Sequence, residues 1–319
     1  MRLIFLGSPE PVVAPLKALL AQAQALGHEV VGVVSQPARP AGRGQGPLDP
    51  PVAAYAKSLG ITTLQPEKAS SPEFLAAFAR LMPDVAITAA YGQILSEEFL
   101  AIPRRATINI HPSLLPKYRG ATPVPAALLS GEEETGVTIL FTVKKLDAGA
   151  IIVQESMPIE RDETSGDLTS RLFAASTPLV VAALRHLEDP TFVGTPQKEA
   201  AATHCRKIEK QHGAVDWQRS SAEIYNAFRA YEPWPGTFTH LEGRRLSLVD
   251  MKHDESAMSG LAPGQAHYEK RLRCLLVGTS DGTVQLFKLK AAGGKVVTAE
   301  AFWNGLKNRS HVVFQGGEL

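Results

Sequence analysis

The chain has 319 residues, 44% of them hydrophobic, with 33 Lys and Arg against 32 Asp and Glu. That length suits two domains with a sizeable core, and a net charge of +1 excludes the strongly basic whole-chain signature of many nucleic-acid binders. Cys205 and Cys274 are too few for a disulfide framework, and no signal peptide or membrane-length apolar run is read, so a soluble, cytoplasmic, metal-free protein is expected.

Arg2–Leu6 is a β-prone apolar run ending at Gly7, and Val13 to Leu26 shows helical spacing closed by Gly27. Glu29–Val34, Asp84–Ala90 and Ala106–Ile110 read as further buried strands, with a helix through Phe74, Leu75, Phe78 and Leu81 among them. Strands alternating with helices imply right-handed crossovers and a mostly parallel, Rossmann-like α/β sheet. Val137–Val143 and Ile151–Ile159 follow as a hairpin, then a helix over Asp167–Leu187. Residues 191–206, polar and Pro-containing, read as a linker between a domain over 1–190 and one over 207–319. Beyond it come a helix over Ser221–Ala230 and short strands at Arg245–Asp250, Arg271–Val277 and Thr283–Leu289, the pattern of a small β-barrel. Trp217, Trp234 and Phe238 are assigned to its core. Charge divides unevenly, 17 basic against 20 acidic residues up to Thr203 and 16 against 12 from His204 onward, which fits a polyanion held by one end.

The densest chemistry lies in NIHPSLLPKYRG, Asn109–Gly120, where a strand runs into a turn. Ligands collect beyond the carboxyl ends of parallel strands. Asn109 and His111 share one side of the strand at period two, so an amide and an imidazole can face an oxygen that becomes negative. Leu146-Asp147-Ala148-Gly149 offers a carboxylate to the imidazole. Taken singly, Asn109 also fits a turn residue, His111 a structural histidine, and Asp147–Gly149 an ordinary hairpin turn. Phe5, Tyr91, Gly92 and Leu114 stand near strand ends, where a ligand would sit.

NIHPSLLPKYRG and LDAG closely resemble the signature of folate-dependent formyltransferases: an Asn, a His two residues on, Ser-Leu-Leu-Pro, and a later Asp. The resemblance implies catalysis by Asn109, His111 and Asp147, with the folate of 10-formyltetrahydrofolate lying against Ser113, Leu114, Leu115 and Pro116. Asn109 and a protonated His111 would donate to the oxyanion, and Asp147 would hold the imidazole and favour its charged form.

Three further stretches bear on the acceptor. FLGSP (Phe5–Pro9), SQPARPAGRG (Ser35–Gly44) and VDWQRSSAEIYNAFRAYEPWPGTFT (Val215–Thr239) resemble segments of the methionyl-tRNA branch of that family. This implies an initiator methionyl-tRNA partner, an OB-like C-terminal barrel, a monomer, and a loop that meets tRNA through Arg39 and Arg43. The family's lysines after Arg-Gly are replaced here by Gln45, Gly46 and Pro47. Arg244, Arg245, Lys270, Arg271, Arg273, Lys288 and Lys290 would supply a modest phosphate-binding face. The rivals are an amino-sugar nucleotide formyltransferase and an RNA-binding protein with a dead catalytic domain. Gly7-Ser8-Pro9 lacks the fingerprint of a nicotinamide-binding turn.

Overall fold

The computed structural model describes residues 1–40, 46–253 and 260–317. Contacts divide the chain into two compact units. One comprises Met1–Pro123, Glu134–Pro158 and Thr169–Cys205, and the other Val124–Glu133, Ile159–Leu168 and the chain from Arg206.

In chain order the first part runs β1 (Arg2–Gly7), α1 (Val13–Ala23), β2 (Glu29–Val34), β3 (Arg39–Pro40), β4 (Pro47–Leu48), α2 (Pro51–Ser58) and β5 (Thr63–Leu64). It continues with α3 (Pro72–Arg80), β6 (Val85–Ala89), α4 (Glu97–Leu100), β7 (Ala106–His111), β8 (Arg119–Gly120) and α5 (Pro123–Leu129). Then come β9 (Glu134–Phe141), β10 (Ile151–Pro158), α6 (Ser165–His186) and β11 (His204–Cys205). The first unit is built on a seven-stranded sheet in the order β10-β9-β7-β6-β1-β2-β5. The five strands from β7 to β5 are parallel, and β9 and β10 add antiparallel at one edge.

Leu3, Ile4, Phe5 and Leu6 are all essentially buried, the continuous apolar run expected of a strand covered on both faces. At the start of α3, Ser71 accepts the N–H of Phe74 and Pro72 follows it. Phe74 and Phe78 then pack with Phe99 of α4 beneath the sheet, the Phe78 and Phe99 ring centroids 4.5 Å apart. β1 pairs with β2 on one side and β6 on the other. The chain therefore reverses its direction of travel across the sheet here, opening a crevice at the carboxyl ends of β1, β6 and β7.

The second unit contains α7 (Ser221–Tyr231), β12 (Thr237–Leu241), β13 (Arg244–His253), β14 (Gln265–Glu269), β15 (Cys274–Gly278), β16 (Thr283–Ala291), β17 (Val296–Thr298), α8 (Ala299–Gly305) and β18 (Val312–Val313). Its antiparallel sheet runs β12-β13-β16-β15-β14-β18, with β17 beside β16. Gln315, just past β18, exchanges both backbone hydrogen bonds with His240 of β12 at 2.8 and 3.1 Å, closing the sheet into a small barrel. A reciprocal cap between Ser220 and Glu223 starts α7, which buries Ile224 and Tyr225 among Leu248, Leu286, Leu289 and Trp217.

Two expectations change, and one strand is added. Trp217 and Phe238 are core residues, but Trp234 is 52% exposed. It sits between Pro233 and Pro235 in the turn from α7 to β12, so the prolines mark a turn whose indole points outward, not a core. The strand expected from Arg271 begins only at Cys274, because Arg273 takes a positive φ of 56° in the preceding turn. β14, its partner in that hairpin, carries too few apolar residues to be read in advance.

Candidate active site

β7 ends at the crevice, and its pleat sends Asn109 and His111 to the same side. Asp147 arrives from the β9–β10 connection. Its carboxylate meets both residues: Asn109 Nδ2 lies 3.4 Å from Oδ1 and His111 Nδ1 lies 3.7 Å from Oδ2. Side-chain exposure is 4% for His111 and 10% for Asp147, so the group works largely away from bulk water.

Each member is oriented by a partner that the motifs alone do not reveal. Thr88, paired with Asn109 across β6 and β7, places its hydroxyl 2.8 Å from Asn109 Oδ1. The amide oxygen is thereby satisfied, and the amide nitrogen is the end that lies beside Asp147. His111 Nε2 stands 3.0 Å from the carbonyl of Tyr118. A carbonyl only accepts, so Nε2 carries the proton in the neutral ring and Nδ1 offers a lone pair beside Asp147. Asp147 Oδ2 also accepts the backbone N–H of Gly120 at 2.9 Å.

Two opposing effects act on His111. Burial lowers its pKa from the usual 6.5, while the Asp147 anion and the Tyr118 carbonyl raise it, and burial prevails. Burial thus favours the neutral ring at rest, whereas the Asp147 anion beside it favours the charged form expected from sequence. A neutral Nδ1 beside a carboxylate is a proton acceptor whose charged form is stabilised once it exists.

The Ser113–Pro116 segment forms the adjoining turn. Ser113 is fully buried and donates from Oγ to the carbonyl of Lys117 at 2.8 Å. Thr138 and Gln154 from the antiparallel pair hold the carbonyls of Ser113 and Leu115 at 2.6 and 3.0 Å. Ser113 and Leu115 thus shape the turn from inside, while Leu114 and Pro116 are half-buried on it. Phe5 is core, and Tyr91 is packed in the cluster with Phe74 and Phe99, its hydroxyl without a hydrogen-bond partner among the described residues.

Arg39 is exposed at the base of the β3–β4 hairpin and pairs with Glu67 at 2.6 Å. Arg43 lies outside the described residues. On the barrel, Arg245 lies on β13, and Lys288 and Lys290 on the neighbouring strand β16; all three are exposed. The Arg245 guanidinium sits 3.6 Å from the Phe238 ring centroid. Among the described residues no helix is long and apolar enough to cross a membrane, and no group of three His, Cys, Asp or Glu is placed to hold a metal ion.

Residues 1–184 match the formyl transferase family, and residues 207–307 match the formyl transferase C-terminal domain. The methionyl-tRNA formyltransferase of Roseiflexus castenholzii is 39% identical over 307 residues, 96% of this chain and 96% of that protein. That of Anaeromyxobacter dehalogenans is 39% identical over 312 residues, 97% and 98% of the two chains. HypX from Aquifex aeolicus, solved in complex with tetrahydrofolic acid, shares the fold with a TM-score of 0.65 at 19% identity, over 99% of this chain and 51% of HypX.

Proposed function

The chain belongs to the methionyl-tRNA formyltransferase family, and on that premise we propose that Asn109, His111 and Asp147 move a formyl group from 10-formyltetrahydrofolate to the α-amine of methionine carried on tRNA. The observation that carries the residue assignment is the meeting of an oriented amide, a buried imidazole and a carboxylate at the end of β7. The neutral amine attacks the formyl carbon, and the carbonyl oxygen becomes an oxyanion facing the Asn109 amide. His111 Nδ1 takes the proton that the attacking nitrogen sheds, and the imidazolium forms beside the Asp147 anion at the moment negative charge appears on oxygen. When the carbonyl re-forms and the bond to N10 breaks, His111 returns that proton to N10. Atoms and charge balance without a covalent enzyme intermediate. One oriented donor to an oxyanion contributes about 10²–10³ in rate.

The Ser113–Pro116 turn, rigidly held beside the triad, is the surface against which the folate is assigned. The acceptor is assigned as initiator tRNA in the cytoplasm, bound by a monomer. Residues 1–190 are taken as the catalytic domain and 207–319 as the tRNA-binding barrel, joined through 191–206. Arg245, Lys288 and Lys290 support that role as exposed cations on neighbouring strands, and Arg39 and Arg43 are assigned to the acceptor end. Transfer of labelled formyl from 10-formyltetrahydrofolate is measured with charged initiator tRNA and a nucleotide-linked amino sugar as competing acceptors. Labelling of the tRNA alone is expected. Labelling of the sugar alone would keep the triad and remove the acceptor assignment.

A further inference from the structure

The loop that carries Asp147 is held by a buried guanidinium. Arg119 on β8 has no solvent exposure. Its Nε and Nη2 donate to Gln197 Oε1 at 3.0 and 2.8 Å, and its Nη1 donates to Glu199 Oε2 at 3.0 Å. Glu199 in turn pairs with Lys145. A guanidinium has donors only, so two of its N–H groups on one oxygen decide which end of the Gln197 amide faces it. The other end, Nε2, donates at 2.8 Å to each of the carbonyls of Asp147 and Gly149. Both amide protons are committed to the backbone around the catalytic carboxylate.

That backbone needs support. Asp147 has a φ of +49°, a left-handed conformation that is strained for a non-glycine residue and persists only where its surroundings over-determine it. The residue after Arg119 completes the hold, since the Gly120 N–H donates to Asp147 Oδ2. β8 therefore fixes the acid twice, at its backbone through Gln197 and at its carboxylate through Gly120. β8 is itself anchored: β11 pairs with it, Arg119 N–H donates to the Thr203 carbonyl at 2.9 Å, and a Cβ on Gly120 would lie 2.3 Å from the Cys205 carbonyl oxygen.

We infer that Arg119 and Gln197 are positioning residues for the transfer: acting through Asp147, they hold its carboxylate against His111 and thereby set the rate of the chemical step. The inference rests on Asp147 acting in that step. Its signature is a loss confined to turnover, because neither side chain is assigned to the folate turn or to the tRNA face.

Gln197→Ala and Gln197→Glu are compared with wild type and Asp147→Ala in steady-state formyl transfer, with urea denaturation alongside. Gln197→Glu preserves shape and gains an ion pair with Arg119, so it folds even if the alanine variant does not, yet it turns a carboxylate oxygen onto the two carbonyls. The expected result is a fall in kcat of at least about 5-fold and up to the roughly 100-fold that a misplacement of about 1 Å can cost, with KM for folate and tRNA within about twofold. The acid limb of the kcat profile moves to lower pH, since a drifting Asp147 no longer raises the His111 pKa. Arg119→Lys, which keeps charge but loses the fork, follows in the same direction. In the Asp147→Ala background the Gln197 changes cost nothing further. If Asp147→Ala is inactive while both Gln197 variants keep wild-type kcat, or raise KM alone, the positioning role is overturned and the active-site reading stands. If Asp147→Ala itself turns over normally, the active-site reading fails first and takes the positioning role with it.

Discussion

Thr88→Val tests the orientation of the oxyanion donor with little change of shape. Thr88 is 6% exposed, and its hydroxyl lies 2.8 Å from Asn109 Oδ1, so valine fills nearly the same volume and deletes only the polar contacts of the hydroxyl. A neutral hydrogen bond contributes about 0.5–1.5 kcal/mol. If that orienting energy is lost wholly from the transition state, kcat falls about 2- to 13-fold, at tenfold per 1.36 kcal/mol. Asn109→Ala removes the donor itself and is expected to cost about 10²–10³. Stability changes by about 1 kcal/mol, because the second contact of the hydroxyl, 3.1 Å to the Ile108 carbonyl, goes as well. Single-turnover formyl transfer at saturating folate reads the chemical step directly. The decisive arm is the double variant: a residue acting through Asn109 has no effect once Asn109 is alanine. An equal loss from Thr88→Val in both backgrounds would refute the reasoning.

The remaining predictions concern protons, packing and charge. With the His111 pKa below 6.5, activity is retained down to that pH and lost only below it, as protonation removes the acceptor; an acid-limb midpoint above 6.5 in the kcat/KM profile would contradict this. The same shift has a stability consequence. The unfolded chain binds the His111 proton first, so its contribution is intact above pH 6.5 and is lost as pH falls through the lowered value, which urea midpoints across that window measure. Gly149→Ala places a Cβ 1.8 Å from the Phe141 carbonyl oxygen, a backbone atom that cannot swing away. It should lower the urea midpoint by the equivalent of about 1–3 kcal/mol and depress kcat through the displaced Asp147; a fully stable, active variant would exclude this close approach. Arg39→Ala breaks only an exposed ion pair and should leave stability within about 0.5 kcal/mol. It should raise KM for tRNA and reduce the salt slope by about one, with KM for folate unmoved; an unchanged salt slope removes Arg39 from the tRNA face.

What could be read in advance was local. β1, β2, β6 and β7 announce themselves as apolar runs because a strand covered on both faces needs no polar positions. Asn109 and His111 share a side because the period of a strand is two, a property of the backbone and not of the fold. Trp234 shows the limit of the same method: an aromatic among prolines reads as core, whereas its exposure depends on where the turn between α7 and β12 sends it.

Sequence by itself therefore determined the strand, the spacing of the amide and imidazole, and the motif that brings a carboxylate. Only the tertiary structure decided that Asp147 reaches them, because that depends on how β9 pairs with β7 and on a left-handed residue in the connection. The positioning roles of Thr88, Gly120, Arg119 and Gln197 had no local signal, since each acts through hydrogen bonds on a group 21 to 78 positions away. The charge of His111 was likewise undecidable from neighbours in sequence. An adjacent anion raises its pKa and burial lowers it, and burial is a property of the packed chain alone.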